Sequence, residues 1–365
     1  MSPVFMIGTQ RSGSNLLRLM LNQLDEVASP HPPHILERIA PLLESYGSLK
    51  IAKNFSLLVD DVCRLVELNP VAWSGIVLDR TNITSRCKEN SLVAVYGAVY
   101  DVFAEHNGAK SWCCKSLANI AYIDMLEPYF DKPKYIYLYR DGRDVALSFQ
   151  KAVVGEKHIY NIAKEWSDTQ EMAIRLRNNV KSNRLINISY EELTGNPEAT
   201  AKKLCKFMGV KYSAKMHEFH TGNEAVNAAK SSSLWGNVTK PVMSNNSKKY
   251  CTEMSEQEIR IFESVAGHVL DELGYKRDFI KKGEELKFSE IDLQHFFNEN
   301  KRLKAISLEN TDKGDLERRN RQTGILKEIK SRTVLGSLLK NVTSAAKTRQ
   351  KWRRKLSVHG VHEVF

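Results

Sequence analysis

The sequence of 365 residues predicts an α/β protein of three layers, with a central parallel sheet between two layers of helices. Three short apolar segments carry this prediction, at residues 4–7, 134–139 and 185–188. Each has the length of a buried strand and is followed by a polar turn and then by helical spacing. Strands that alternate with helices are typical of parallel sheets.

The elements follow one another as strand, turn and helix. The strand at 4–7 leads into a glycine-bracketed turn at 8–13 and a helix that begins at Ser14 or Asn15. The strand at 134–139 ends at Arg140 before a short helix, and the strand at 185–188 ends at Ser189-Tyr190. Further expected elements are a strand at 112–114, helices near 34–46, 55–68, 90–107, 144–151 and 255–273, and a long loop at 221–250.

The charge of the chain is unevenly placed. The net charge is +11, and residues 318–365 hold 13 of the 54 basic residues but 2 of the 43 acidic ones, which leaves 41 of each sign elsewhere. A basic excess in one segment excludes a protein-wide affinity for nucleic acid. We expect a domain over 1–275 and a charged, helical C-terminal extension over 276–365, made of short segments with little core.

The basic extension has two interpretations. Residues 349–355 place basic side chains around one tryptophan, and apolar residues at 334, 335, 338, 339 and 342 fit one helix face. The extension could therefore contact an anionic membrane, an acidic glycan or RNA. The alternative is a solvated arm, or one that packs on a partner subunit in a homodimer.

Several features predict a cytoplasmic protein, with peripheral membrane association as the alternative. The first residues lack the pattern of a secretion signal, and no segment approaches the ~20 apolar residues of a membrane span. Six cysteines in a chain of this length, two of them adjacent, do not suggest a disulfide framework.

The turn at 8–13 predicts an anion site. Its two glycines have the spacing of a P-loop, and the helix that follows presents backbone N–H groups and a positive dipole end. The lysine and hydroxyl pair of nucleotide triphosphatases is replaced by Ser14-Asn15, and Arg11 is the only strong cation in the turn. The fold is therefore expected to be P-loop-like, with a ligand less charged than ATP-Mg.

A second anion site is predicted at the end of strand 134–139. Arg140, Arg143 and Ser148 follow this strand, at the sheet edge where ligands of open α/β folds bind. Arginine binds phosphate through paired hydrogen bonds. Together the two sites suit a nucleotide phosphorylated at both ends of its ribose. The alternative is a surface turn whose arginines pair internally with Asp141 and Asp144.

Both motifs resemble those of the sulfotransferases that use 3′-phosphoadenosine 5′-phosphosulfate (PAPS). GTQRSGSNLLRLML is similar to their 5′-phosphosulfate loop, and YLYRDGRDVALS to their 3′-phosphate motif. The likeness is greatest to tyrosylprotein and related bacterial sulfotransferases, and it covers about residues 4–275. It implies metal-free, in-line transfer of a sulfuryl group to an acceptor hydroxyl on a glycan, lipid or small metabolite.

The resemblance also implies roles for individual residues. Lys115 in Cys114-Lys115 would reach the transferring group, and Lys240 in Lys240-Pro241-Val242 would reach the phosphates. Tyr190 matches a family tyrosine whose role could be structural. Independently of the family, Trp235 could stack on adenine or be a packing anchor. The remaining residues implied in donor binding are Arg11, Ser12, Gly13, Ser14 and Asn15 at the 5′ end and Arg140 and Ser148 at the 3′ end.

The catalytic base departs from the family pattern. Tyrosylprotein sulfotransferases have a Glu-Glu pair where this chain has Pro30-His31-Pro32-Pro33-His34. Histidine is suited to accept a proton at neutral pH, and the prolines would stiffen the segment. We expect His31 to be the base, ahead of His34 and then Glu37, and we expect no metal site. The alternative functions are a P-loop nucleotide kinase and a non-catalytic protein that binds nucleotide or docks on membranes.

Overall fold

The computed structural model describes residues 2–231 and 233–332. Its centre is a sheet of five parallel strands, in the order β2-β3-β1-β4-β5. The parallel sheet predicted from the sequence is confirmed. The strands are β1 Ser2–Gly8, β2 Val27–Ala28, β3 Ser111–Cys114, β4 Lys134–Tyr139 and β5 Leu185–Ser189.

Helices flank this sheet and make up most of the described residues. Short 3-10 helices lie at Ala40–Tyr46, Leu117–Tyr122, Ala214–Thr221 and Ser233–Thr239. The α-helices are α1 Ser14–Leu21, α2 Ile35–Ile39, α3 Ala52–Glu67, α4 Arg80–Arg86, α5 Leu92–His106, α6 Ile123–Tyr129, α7 Gly142–Gln150, α8 Ile159–Asn179, α9 Tyr190–Gly195, α10 Pro197–Met208, α11 Asn223–Ser231, α12 Tyr250–Glu253, α13 Glu256–Glu272 and α14 Glu290–Glu309.

The three layers follow from alternation along the strands. In β1, Phe5 and Ile7 belong to an apolar cluster with α3 and α5, whereas Val4 and Met6 belong to a cluster with α1 and α10. Successive strand residues point to opposite faces, so a strand covered on both sides is apolar throughout. The predicted three-layer α/β architecture is therefore confirmed.

The sequence predicted a long loop at residues 221–250, and this prediction is wrong. These residues contain α11 and a 3-10 helix at Ser233–Thr239. Ala225 and Ala228 are buried in the same apolar cluster as α1. The packing face consists of alanines spaced three residues apart. Because the segment is otherwise rich in Ser and Asn, its composition did not indicate a helix with a buried face.

The expectation of short segments beyond Tyr275 is wrong, whereas the core there is small, with Ile280, Ile325 and Ile329 as its buried apolar residues among those described. α14 has 20 residues and begins with a capping box between Ser289 and Asp292. Residues 313–332 are helical as well, and Ile325 and Ile329 from this helix are buried in the cluster that contains α3. Most residues of both helices are exposed, so the few packed apolar positions gave only a weak hydrophobic periodicity from which to predict the helices.

The 313–332 helix is fastened to α3 by polar contacts. The Gln322 side-chain nitrogen donates to the Leu65 carbonyl at 2.7 Å, and Arg332 forms an ion pair with the buried Asp61. Residues 333–365, which include the apolar positions 334–342 and the basic run 349–355, lie outside the described residues. The boundary at residue 275 stays a prediction. No helix of the described part is long and apolar enough to cross a membrane.

Candidate active site

The carboxyl ends of all five strands meet at one edge of the sheet, and each delivers one of the predicted site residues. Arg11 lies three residues after β1 and His31 three residues after β2. Lys115, Arg140 and Tyr190 directly follow β3, β4 and β5. Because parallel strands end together, residues far apart in the sequence become neighbours.

A cavity of about 780 Å³ opens at this edge, within the usual range for a site that binds a small molecule. It is lined by most of the residues that the sequence singled out. They are Arg11, Gly13, Ser14, Asn15, His31, His34, Glu37, Lys115, Arg140, Ser148, Tyr190 and Lys240. Ser12 is buried and does not line the cavity, and the Trp235 side chain lies outside the described part.

The turn after β1 depends on both of its glycines. Gly8 and Gly13 have φ of 129° and 87°, which side-chain-bearing residues seldom adopt. A Cβ at Gly8 would lie 2.1 Å from the Leu138 carbonyl oxygen, and one at Gly13 would lie 2.6 Å from the Tyr190 ring. The turn therefore packs tightly on β4 and Tyr190. No acidic residue occupies the first turn of α1, so its positive end is not neutralised.

Arg11 joins the two predicted anion sites. Its Nε donates to the Ser148 Oγ at 2.9 Å, and its carbonyl accepts from the Arg140 Nη1 at 3.2 Å. Burial, and next the charge of Arg140, lower the pKa of Arg11. Within the described ranges Arg11 forms no ion pair with an acidic residue. The turn and the end of β4 thus form one positively charged surface.

Tyr190 supports both halves of this surface. Its ring packs against Gly13, and the Arg140 guanidinium lies 4.3 Å from the ring centre. Its hydroxyl accepts a hydrogen bond from the Asn246 side chain at 3.0 Å. These contacts give Tyr190 a structural role in positioning Gly13 and Arg140.

The sequence predicted Arg143 beside Arg140 at the anion site, but Arg143 does not line the cavity. It is buried in ion pairs with Asp141 at 2.8 Å, Glu263 at 2.7 Å and Asp278 at 2.8 Å. The internal pairing that the sequence left as the alternative therefore describes Arg143. Arg140 lies 3.6 Å from Asp144, whose carboxylate also accepts from the Lys248 backbone N–H.

The pKa of Lys115 is strongly lowered by its surroundings. Burial, followed by the charges of Arg18 and Arg11, lowers the pKa of Lys115 to about 7. Its ammonium makes no hydrogen bond or ion pair with the residues that the structure describes. An anion beside it would relieve this repulsion.

His31 is held by its backbone as well as its ring. The Asn69 amide nitrogen donates to the carbonyls of His31 at 2.9 Å and Val71 at 3.0 Å, and lies 3.3 Å from the His31 Nδ1. Trp73 Nε1 also donates to the His31 carbonyl, at 2.7 Å. Burial, then the charge of Lys115, lowers the pKa of His31 well below its ordinary value. Its imidazole is therefore neutral at physiological pH.

His34 and Glu37 form a second candidate for the base. The His34 Nδ1 lies 3.1 Å from a Glu37 carboxylate oxygen. The contact with His34 lowers the pKa of Glu37, whereas burial lowers the pKa of His34. In the described ranges no three His, Cys, Asp or Glu side chains are grouped as metal ligands.

Sequence patterns did not reveal several residues around the cavity. Asn69 and Asn246 lie in segments without a motif, and the cavity-lining Arg319 belongs to the 313–332 helix. Arg18 lies within the α1 motif, but its spacing is that of any amphipathic helix. Only the tertiary contacts identify these four residues.

Comparisons with known proteins identify the family of this chain. The model of the sulfotransferase family matches residues 3–214. Protein-tyrosine sulfotransferase A of Caenorhabditis elegans is 22% identical over 282 residues, which covers 74% of this chain and 67% of that protein. Protein-tyrosine sulfotransferase 2 of Gallus gallus is 22% identical over 284 residues, with coverage of 74% and 69%.

A solved structure supports the fold. The sulfotransferase domain from the curacin biosynthetic pathway superposes with a TM-score of 0.54 at 22% identity, covering 76% of this chain and 99% of that domain. At this identity the likeness concerns the fold, while the family match rests on more than half of the sequence. The chain belongs to the sulfotransferase family and is a transferase of sulfuryl groups.

Proposed function

We propose that the sulfuryl donor is PAPS and that the acceptor is a hydroxyl of a glycan, lipid or small metabolite. One observation carries the choice of donor: Arg11 and Arg140 line the same cavity, and the Arg140 Nη1 donates to the Arg11 carbonyl. A donor with an anionic group at each end of its ribose would engage both guanidiniums at once.

The residues around this cavity fit such a donor. Arg11 and Lys115 are cations without acidic partners in the described part, and burial lowers the pKa of both. The Arg140 Nε is also buried without a hydrogen-bond partner among the described residues. Such a group costs about 1–3 kcal/mol until a partner satisfies it. Phosphate and sulfate oxygens accept hydrogen bonds and carry the compensating charge.

When bound, PAPS supplies a sulfuryl group for in-line transfer to an acceptor oxygen. Arg11, Lys115 and the first backbone N–H groups of α1 would hold the 5′ end and stabilise the negative charge that develops there. Arg140 and Ser148 would hold the 3′-phosphate, and Lys240, which also lines the cavity, would contact the phosphates. Donors fixed in advance stabilise that charge without reorganising.

His31 is the proposed base. Its neutral imidazole can take the acceptor's hydroxyl proton on a ring nitrogen, and Asn69 and Trp73 fix the backbone that carries it. Its lowered pKa makes it a weak base, so acceptance of the proton is favourable only as the acceptor oxygen bonds to sulfur. The His34–Glu37 pair is the alternative base.

Isotopically labelled PAPS tests this proposal. We expect label to pass to an acceptor in a panel of glycans, lipids, phenolic metabolites and tyrosine peptides, with one adenosine 3′,5′-bisphosphate released per transfer. Tyrosine peptides are included because the relatives are named protein-tyrosine sulfotransferases. Phosphoryl transfer from ATP-Mg without PAPS would indicate a kinase. Tight binding of the bisphosphate without any transfer would indicate a non-catalytic protein.

A further inference from the structure

Arg18 is a charged side chain at the centre of the molecule that the proposed function leaves unexplained. It lies in α1 and is 0% exposed. Its Nη1 donates to the Ser29 carbonyl at 3.0 Å and pairs with the Glu224 carboxylate. Its Nε donates to the Asn15 side-chain oxygen at 3.0 Å.

The contact with Arg18 settles which way the Asn15 amide faces. A guanidinium can only donate hydrogen bonds, so the atom of Asn15 that faces it must be the oxygen. The amide nitrogen then lies on the other side. This nitrogen is buried and has no hydrogen-bond partner among the described residues, although Asn15 lines the cavity beside Ser14.

This orientation matters because an amide has one donating and one accepting end. A hydroxyl, by contrast, both donates and accepts, and it rotates to suit its ligand. A flipped Asn15 would instead present its oxygen to an anion and repel it. An asparagine at this position therefore needs a neighbour that prevents the flip.

We propose that Arg18 is a positioning residue, which holds the Asn15 amide so that its nitrogen donates to an anionic oxygen at the 5′ end of the donor nucleotide. This inference rests on the proposed donor and extends it to Arg18 and to the end of the Asn15 amide that faces the nucleotide. Arg18 itself does not line the cavity.

Glu224 completes the arrangement. Its carboxylate pairs with Arg18 and also accepts from the Asn22 side chain, so α11 is fastened to α1. The pair offsets the buried charge of Arg18 and keeps the guanidinium engaged within the protein. Arg18 therefore has a carboxylate partner inside the protein, although its Nη2 makes no hydrogen bond with the described residues, and its Nε makes a directional contact with Asn15.

Two nucleotides separate this role from general structural support. Adenosine 3′,5′-bisphosphate carries the 5′-phosphate, whereas adenosine 3′-monophosphate lacks it and engages only the Arg140 subsite. We expect Asn15→Ala to weaken binding of the bisphosphate by about tenfold or more, because a hydrogen bond to a charged group is lost. Binding of the monophosphate should stay unchanged, as measured by isothermal titration calorimetry.

Variants of Arg18 test the positioning itself. Arg18→Lys keeps a positive charge beside Glu224 but loses the Nε donor, and the double variant Arg18→Leu/Glu224→Leu removes both buried charges together. We expect both to weaken binding of the bisphosphate. Arg18→Lys keeps the charge that acts on Lys115, so it should add nothing further when Asn15 is already alanine. Thermal unfolding of each variant checks that the fold is kept.

Two results would overturn the inference. One is an equal loss of affinity for both nucleotides, which would indicate a structural role alone. The other is a loss of bisphosphate affinity on Arg18→Lys that is just as large in the Asn15→Ala variant as in the wild type. If the wild-type protein bound the monophosphate and the bisphosphate with equal affinity, the proposed donor would itself be wrong, and this inference with it.

Discussion

Lys115 has an ammonium whose charge is opposed by burial and by two guanidiniums. Burial and these two charges lower the pKa of Lys115 to about 7, so its ammonium loses its proton near neutral pH in the free protein. A phosphate or sulfate at the 5′ end favours the charged form and raises this pKa. Donor binding should therefore take up a proton above pH 7.

The expected consequence is an affinity for adenosine 3′,5′-bisphosphate that falls as the pH rises from about 7 to 9. Calorimetry in buffers of different ionisation enthalpy measures the proton uptake. Lys115→Arg is the matched control, because an arginine stays charged over this range and should flatten the profile. An affinity independent of pH in the wild type would contradict the lowered pKa or the contact with the 5′ end.

Removal of the Lys115 ammonium should affect the transition state most. We expect Lys115→Ala to lower kcat by about 10²–10³-fold, since one donor to the developing charge is lost. Steady-state rates with labelled PAPS measure this loss. Lys110→Ala is the matched control, because Lys110 is exposed and pairs with Glu26 away from the cavity. A Lys115→Ala rate within a few-fold of wild type would exclude a role in transfer.

His31 should act on the chemical step. We expect His31→Ala to lower kcat by about 10²–10⁴-fold, the usual contribution of a general base, with little change in nucleotide affinity. His34→Ala and Glu37→Gln are the comparison variants. Turnover near the wild-type rate for His31→Ala across about pH 6 to 9 would move the role of base to the His34–Glu37 pair.

At the scale of the element, the turn between β1 and α1 is shaped by close packing. Gly13→Ala would place a methyl group 2.6 Å from the Tyr190 ring at a φ of 87°. We expect bisphosphate affinity to fall by about tenfold or more, because the turn must shift away from Tyr190 and Arg140. Gly108→Ala is the control: its φ of 66° imposes similar backbone strain, but nothing lies within 4 Å. Equal affinities of both variants would show that the packing on Tyr190 is unimportant.

The same elements show how far sequence patterns reach. β1 and β4 could be predicted because a strand buried on both faces is a continuous apolar run. Arg140 follows β4 directly, and Arg11 lies in the short turn after β1. Arg143 was placed wrongly because its partner Glu263 is 120 residues away in sequence. The helix α11 was missed because alanines form its buried face. Local sequence patterns thus predict which residues lie at the strand ends. The hydrogen-bond and ion-pair partners of each side chain depend on tertiary packing.

At the scale of the whole molecule, the 313–332 helix is part of the folded body. Ile329 is 0% exposed within the α3 cluster, so Ile329→Ala should cost about 2–5 kcal/mol of unfolding free energy. Ile306→Ala in α14, where the side chain is 39% exposed, should cost much less. Denaturant unfolding of both variants measures the difference, and equal costs would contradict the packing of this helix.

This packing also decides how the basic extension is tested. A deletion from residue 318 would remove Ile325 and Ile329 from the core, so a deletion of 333–365 is the appropriate variant. We expect it to reduce retention on heparin or on liposomes with anionic lipid, because it removes most of the basic excess. Unchanged retention would leave the segment as a solvated or subunit-packing arm.

The central claim concerns one cavity that receives both ends of a doubly phosphorylated nucleotide. A crystal structure of the chain with adenosine 3′,5′-bisphosphate tests it most directly. We expect the 5′-phosphate to contact Arg11 and the start of α1, and the 3′-phosphate to contact Arg140 and Ser148. A bound nucleotide that left either guanidinium without a phosphate contact would contradict the claim.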